Sequence, residues 1–184
     1  MSHRDAMRIA LSGVLLSTLL AGCDDAPRRL RPGGAGFSVE LPGDYTCSQR
    51  RRDADGTSST IYTCGTEYIG GGLFGRIAPA RISVTWEKVP PGVTADQLRP
   101  ELSKAYAGAP SPGKLTTERP GALDGVAGLE IETVDRSNAS AAAITVRARH
   151  VINSGTLVGV IIDGQVDADA EQAWRAVLNS FRFE

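Results

Sequence analysis

Side chains that could catalyse a reaction or bind a metal are few in this sequence. Its 184 residues include two histidines, His3 and His150, and three cysteines. A zinc site needs three or four good ligands close together, and a Ser-His-Asp triad needs a histidine beside a nucleophilic serine. The sequence has no cluster of histidine with cysteine and no Gly-x-Ser-x-Gly elbow. It therefore predicts no metal site, no cofactor and no catalytic residue.

Two carboxylates on one predicted strand, Glu130 and Glu132, are of the type that a glycosidase would use as a pair. They alternate with apolar residues, and Arg147 and Arg149 alternate in the same way in the next predicted strand. Opposite charges that face each other across antiparallel strands form a ladder of ion pairs. We therefore expect Glu130 to face Arg149 and Glu132 to face Arg147 on the solvent side. An enzyme that uses these carboxylates is the alternative.

The second histidine lies in a strand with an apolar face. His150 has the same strand parity as Val146, Ala148 and Ile152, so its side chain is expected to point inward near the end of the sheet. A buried structural imidazole is the first interpretation, and a catalytic or pH-sensing group is the alternative.

A short apolar run near the N-terminus ends in Leu20-Ala21-Gly22-Cys23. Arg4 and Arg8 give the leader positive charge, and residues 9–20 are too few for an ordinary transmembrane helix. The pattern resembles the signal peptide and lipobox of a bacterial lipoprotein. The resemblance implies cleavage after residue 22 and lipid on Cys23, so that the membrane is a partner through this lipid. A plain secretory signal is the alternative.

The residues after Cys23 bear on location and partners. Asp24 follows directly, and by resemblance to enteric lipoproteins it implies the periplasmic face of the inner membrane, with the outer membrane as the alternative. Residues 23–36 are rich in Pro, Gly and Arg, which predicts a flexible tether before a single domain at residues 37–184. The chain carries 20 basic and 21 acidic side chains, and this near balance argues against nucleic acid as a partner.

With Cys23 assigned to lipid, Cys47 and Cys64 remain, and an even pair in an exported chain indicates a disulfide. Two alternating segments flank Asp55-Gly56, a strong signal for a two-residue type I′ hairpin turn. Residues that face each other across this turn have numbers that sum to 111, which places Cys47 opposite Cys64 in a non-hydrogen-bonded pair. A redox-active pair is the alternative, although no Cys-x-x-Cys motif is present.

A glycine-rich segment at residues 68–75 contains Tyr68, Leu73 and Phe74. It lacks the Gly-Lys-Ser/Thr ending of a phosphate-binding loop. The first interpretation is a mobile loop that carries two apolar side chains, and the alternative is a lid or a loop that contacts a partner, such as another envelope protein.

The remaining pattern predicts an α+β domain, with a twisted antiparallel sheet of about seven or eight strands packed by two helices. Thr94 and Gln97 form a capping box for the first helix, and Gly108 ends it. Asp167 or Asp169 begins the second helix. The apolar stripe of this helix consists of Trp174, Val177, Leu178 and Phe181.

Two short motifs carry a resemblance to the PsbP-like fold. The first leads from Phe37 through Pro42 into Tyr45, and the second is Leu178-Asn179-Ser180-Phe181 at the end of the last helix. The resemblance implies the fold, and no functional residue follows from it. We therefore expect a membrane-anchored envelope lipoprotein with a non-catalytic domain that binds a protein or a ligand. A structural accessory subunit of a membrane complex and a carboxylate-dependent periplasmic enzyme are the alternatives.

Overall fold

The chain forms the α+β domain that the sequence predicts. A computed structural model describes residues 26–54, 57–66, 80–108, 113–136 and 143–184. Ten strands and two helices lie within these ranges. Their bounds are β1 Arg28–Leu30, β2 Phe37–Leu41, β3 Tyr45–Ala54, β4 Thr57–Thr66, β5 Arg81–Lys88, α1 Ala95–Ala107, β6 Lys114–Leu123, β7 Val126–Asp135, β8 Ile144–Asn153, β9 Thr156–Gly164, α2 Ala168–Ser180 and β10 Arg182–Phe183.

The strands form two sheets. The large sheet has seven antiparallel strands in the order β3-β4-β5-β9-β8-β7-β6, and the small one has the order β1-β2-β10. Much of the large sheet consists of antiparallel pairs of consecutive strands. These pairs are β3–β4, β6–β7, β7–β8 and β8–β9. In the small sheet, β2 pairs with both the first and the last strand of the described chain. This small sheet therefore brings the two ends of the domain together.

The predicted tether over residues 23–36 is wrong from Arg28 onward. Strand β1 pairs with β2, and Leu30 and Ala35 are both buried in the core. Charged side chains fasten the same segment, because Arg28 pairs with Asp44 at 2.7 Å and Arg31 pairs with Glu184 at 2.8 Å. The folded domain therefore begins about nine residues before Phe37.

Helix α2 and the small sheet cover one face of the large sheet. Trp174 and Val177 of α2 are buried there together with Phe37, Phe181 and β-branched residues of β5 and β9. Asp167 caps this helix by accepting a hydrogen bond from the Ala170 amide at 2.8 Å. Burial of an aromatic stripe on a sheet face is the main source of stability for such an element.

Helix α1 contacts β6, β7 and β8. Its predicted capping box is present: the Thr94 amide donates to Gln97 Oε1 at 2.8 Å, and the Gln97 amide donates to Thr94 Oγ1 at 3.3 Å. The Gly108 amide closes the other end by donating to the carbonyl oxygen of Lys104 at 3.1 Å. No residue of α1 is fully buried, so this helix packs against the sheet less extensively than α2 does.

The two edge strands of the large sheet have distinctive compositions. Strand β3 carries three consecutive exposed arginines, Arg50, Arg51 and Arg52. Strand β6, at the opposite edge, contains Pro120 in its interior. Proline lacks the backbone N–H that strand pairing uses, and it is tolerated on an edge strand for that reason.

Candidate functional site

A cleft of about 780 Å³ lies between the β1–β2 connection and strands β3, β4 and β5. Its volume and apolar lining are typical of small-molecule sites, which measure roughly 300–1,000 Å³. Fifteen residues line it. These are Leu30, Pro32, Gly33, Gly34, Ala35, Cys47, Ser48, Ser59, Thr60, Tyr62, Cys64, Trp86, Lys88, Val89 and Pro90.

The predicted disulfide forms part of the cleft and is confirmed. Cys47 and Cys64 face each other across β3 and β4 in the predicted register, with their Cα atoms 4.1 Å apart. Cys64 is buried against the core, whereas Cys47 is exposed on the edge strand. The bridge therefore fixes the edge strand β3 to the core within the lining of the cleft. The turn residues Asp55-Gly56 lie outside the described residues.

Stacked aromatic rings form the apolar wall. The rings of Tyr62 and Trp86 are parallel to within 12°, with centroids 5.4 Å apart. Trp86 then meets Phe37 edge to face at 5.6 Å, and Phe37 stacks on Phe181 at 5.0 Å. Offset and edge-to-face contacts of this kind are favourable beyond the area they bury. A rigid series of rings thus joins Tyr62, which is 38% exposed, to the centre of the core.

The charged residue of the lining, Lys88, lies at the end of the cleft where β5 finishes. Lys88 donates a hydrogen bond to Thr156 Oγ1 at 2.8 Å, which holds its ammonium group near the cleft. Thr60 lines the same end, whereas the Ser59 hydroxyl donates to Glu87 Oε2 at 3.0 Å on the other face of the sheet. Within the described ranges, no salt bridge joins Lys88 to a carboxylate. An apolar wall beside a few polar groups is the usual composition of a ligand site.

The acidic pair lies on the other half of the large sheet, and its predicted register is confirmed. Glu130 faces Arg149 and Glu132 faces Arg147 across β7 and β8. The predicted solvent exposure is wrong for Glu130, which is only 2% exposed. Arg119 from β6 and Arg149 from β8 both hydrogen bond to Glu130 and cover it. Strand β7 is thus buried on both faces at this point, because Ile131 is buried on the other.

The environment of Glu130 keeps it ionised. Burial alone would raise the pKa of this carboxyl, but hydrogen bonds from Arg119 and Arg149 and their positive charge more than offset that effect. The pKa of Glu130 is therefore below its ordinary value. A carboxylate held in this state cannot serve as a general acid near neutral pH. The arrangement is that of an ion-pair network, which Glu171 of α2 extends by accepting from Arg147 at 2.8 Å.

His150 is buried, and its side chain points into the protein as the sequence predicts. It is 4% exposed, and its Nε2 lies 2.9 Å from the Tyr106 hydroxyl of α1. Burial lowers the pKa of His150 to about 4 and raises the pKa of Tyr106, so both groups are neutral at physiological pH. His150 Nδ1 has no hydrogen-bond partner among the described residues. A Cβ on Gly159 would lie 2.7 Å from this atom, so the glycine leaves room for the imidazole ring.

Several predicted site residues cannot be placed. Cys23 and the loop residues Tyr68, Leu73 and Phe74 lie outside the described residues. In the part of the chain that the structure describes, no three metal-ligating side chains lie close enough together to hold an ion. Within the same ranges, no helix has the length and apolar character needed to cross a membrane.

Sequence reasoning did not predict the cleft. Its residues come from four separate parts of the chain, and the β1–β2 connection has the composition of a tether. One signal was available: Tyr62 and Cys64 share a strand face. In the structure, the pairing of Tyr62 with Trp86 completes that face with a second large aromatic ring.

Comparison with solved structures identifies the class of fold. The solution structure of cyanobacterial PsbP (CyanoP) from Synechocystis sp. PCC 6803 is similar, with a TM-score of 0.53 and 13% identity over 97% of this chain and 98% of that chain. The domain therefore has a PsbP-like α+β fold, as the two sequence motifs imply. No protein-family model matches the chain. A search of curated protein sequences finds no match either.

Two other solved structures align with the chain at lower scores. The Ran-binding protein Mog1p of Saccharomyces cerevisiae gives a TM-score of 0.45 and 9% identity, over 86% of this chain and 95% of that chain. LpqN, involved in cell envelope biogenesis of Mycobacterium tuberculosis, gives a TM-score of 0.41 and 14% identity, over 88% of this chain and 86% of that chain.

Proposed function

We propose that this chain is a lipid-anchored envelope protein whose PsbP-like domain binds a ligand through the cleft beside the disulfide. The observation that carries this proposal is the cleft itself, with its stacked aromatic wall, its polar end and a volume of about 780 Å³. The domain is proposed to bind its ligand without transforming it. Glu130 is ion-paired with two arginines, and His150 is enclosed beneath α1, so neither is available as a catalytic group.

The anchor is tested by changing Cys23 to serine. We expect the variant to lose lipid labelling and to leave the membrane fraction, because stable anchoring depends on acyl chains, with each buried methylene worth about 0.8 kcal/mol. The measurement is labelling of cells with an alkyne fatty acid, followed by fractionation. Ser17→Ala, in the same apolar run, is the control and should keep both properties. Unchanged labelling and sedimentation of Cys23→Ser would show that Cys23 is not the anchor.

The cleft is tested with a neutral aromatic probe, N-phenyl-1-naphthylamine. Every described helix and strand lies between Arg28 and Phe183, so a chain that begins at Asp24 contains the whole fold and can be studied without lipid. We expect its fluorescence to rise with a 1:1 stoichiometry. Tyr62→Ala should weaken binding by about fivefold, since a stacked ring contributes on the order of 1 kcal/mol.

Two further variants decide where the neutral probe binds. Gly33 lies at the edge of the cleft, has an ordinary φ, and has nothing within 4 Å of the position of an added Cβ. Gly33→Leu should therefore obstruct the cleft without strain and abolish binding. Leu115 is 62% exposed on the opposite edge strand, and Leu115→Ala should bind the probe as the parent does. Equal binding by the parent, Tyr62→Ala and Gly33→Leu would exclude the cleft as the site.

A further inference from the structure

The cleft has an apolar side and a cationic end, and this asymmetry defines the ligand more narrowly, if the proposed function holds. The apolar side consists of the disulfide, Tyr62 and Trp86. The cationic end is Lys88, with Thr60 beside it on the same face of the sheet. Among the fifteen residues that line the cleft, none is aspartate or glutamate. A ligand in this cleft therefore meets one positive charge and no negative one from the lining.

The ammonium group of Lys88 is held where a ligand could reach it. Its hydrogen bond to Thr156 Oγ1 uses one of its three N–H groups and leaves two for an acceptor. Thr156 is directly opposite Lys88 on β9, so the pairing of strands β5 and β9 sets the position of this contact. A lysine held beside an apolar surface suits a small anionic group.

The carboxylate next to Lys88 in the chain does not cancel this charge. Successive residues of a strand point to opposite faces of the sheet, so Glu87 and Lys88 point away from each other. Glu87 accepts a hydrogen bond from Ser59 Oγ at 3.0 Å and pairs with Arg52 at 3.8 Å. Its charge is therefore already compensated by other groups.

We propose that the cleft binds a small amphipathic organic anion. An aromatic or hydrocarbon body lies against Tyr62 and the disulfide, and a carboxylate, sulfonate or phosphate accepts hydrogen bonds from Lys88. The lining explains both parts of this preference. A cation has no acidic partner there, and a fully polar ligand would leave the aromatic wall unused. The ligand is a free molecule, because the cleft is of the size that encloses a small molecule and not a bilayer surface.

The test compares two probes that differ by one charged group, using the same chain from Asp24. 1-Anilinonaphthalene-8-sulfonate has the ring system of N-phenyl-1-naphthylamine with an added sulfonate. We expect the sulfonate probe to bind about fivefold more tightly, because a partly exposed ion pair contributes on the order of 1 kcal/mol. Lys88→Gln should remove this preference and leave the affinity for the neutral probe unchanged. Lys104→Gln, on the exposed face of α1, is the matched control and should keep the preference.

The outcomes separate this inference from the proposed function. If neither probe binds at the cleft, both are wrong. If the two probes bind equally, or Lys88→Gln keeps the preference, the cleft binds ligands but the anionic specificity is wrong. Displacement of the sulfonate probe by decanoate supports a free amphipathic acid. Displacement by phosphatidylglycerol vesicles without displacement by decanoate would overturn it.

Discussion

Replacement of Glu130 by alanine is expected to lower the free energy of unfolding by about 3 kcal/mol, because one partner of a buried ion pair is removed. Glu130 is 2% exposed and joins Arg119 of β6 to Arg149 of β8. Without the Glu130 carboxylate, the charge of Arg149 would be unpaired in a mostly buried position, since its side chain is only 24% exposed. The Arg119 side chain is 59% exposed and can turn toward water, which limits the loss.

Urea unfolding at pH 7 measures the effect, with two comparison variants. Glu118→Ala removes an exposed carboxylate from the neighbouring strand and should change stability by less than about 0.5 kcal/mol. Glu130→Gln keeps the volume but only one of the two acceptor oxygens, so its stability should be intermediate. A Glu130→Ala variant as stable as Glu118→Ala would show that the network contributes nothing. The pKa of Glu130 is depressed in the folded state, so its contribution is present above the ordinary glutamate range and lost as the pH falls below it.

Stability is expected to fall by about 2 kcal/mol between pH 7 and pH 5, with His150 as the main cause. Burial lowers the pKa of folded His150 to about 4, whereas an unfolded histidine titrates near 6.5. In this window the unfolded chain binds a proton that the folded chain does not. Acidification therefore favours unfolding. Tyr106, the titratable group in contact with the imidazole, stays neutral throughout because its pKa is raised.

Urea unfolding at several pH values measures how the free energy of unfolding changes with pH. Substitution of His150 then shows how much of this slope the histidine causes. In a chain that starts at Asp24, His150 is the one histidine present. His150→Gln should remove most of the slope between pH 7 and pH 5, whatever its effect on stability at pH 7. If that variant does not fold, the imidazole Cε1 proton in an NMR titration of the parent should keep its neutral shift down to about pH 5. A His150 resonance that titrates near 6.5 would contradict the prediction.

The parts of the fold that depend on neighbouring residues in the chain could be predicted from the sequence. The register that joins Cys47 to Cys64 follows from a short turn and strict alternation, and the pairing of Glu130 with Arg149 follows from strand parity. The capping box at Thr94 is likewise a local pattern. In each case, the partners lie within about 20 residues of each other. Either one connection between adjacent strands or a single turn of a helix separates them.

The features that depend on distant parts of the chain could not be predicted. Alternation shows which side chains share a face, but not whether that face meets water, so the burial of Glu130 beneath Arg119 went unrecognised. The segment that forms β1 has the composition of a linker. Its partners are Glu40, Asp44 and Glu184, and the last of these is more than 150 residues away. The cleft was missed for the same reason, because that segment forms one of its sides.

The edges of the large sheet have a consequence for the proposed lipid anchor, which would concentrate many copies of the domain on one surface. Many copies side by side could pair through open strand edges and polymerise. On β3, a second copy would have to bring its own strand against Arg50, Arg51 and Arg52. On β6, Pro120 interrupts the row of N–H groups that a continuing sheet requires. Both edges thus resist addition of a further strand, so each domain should stay separate, with its cleft accessible, even at high local concentration.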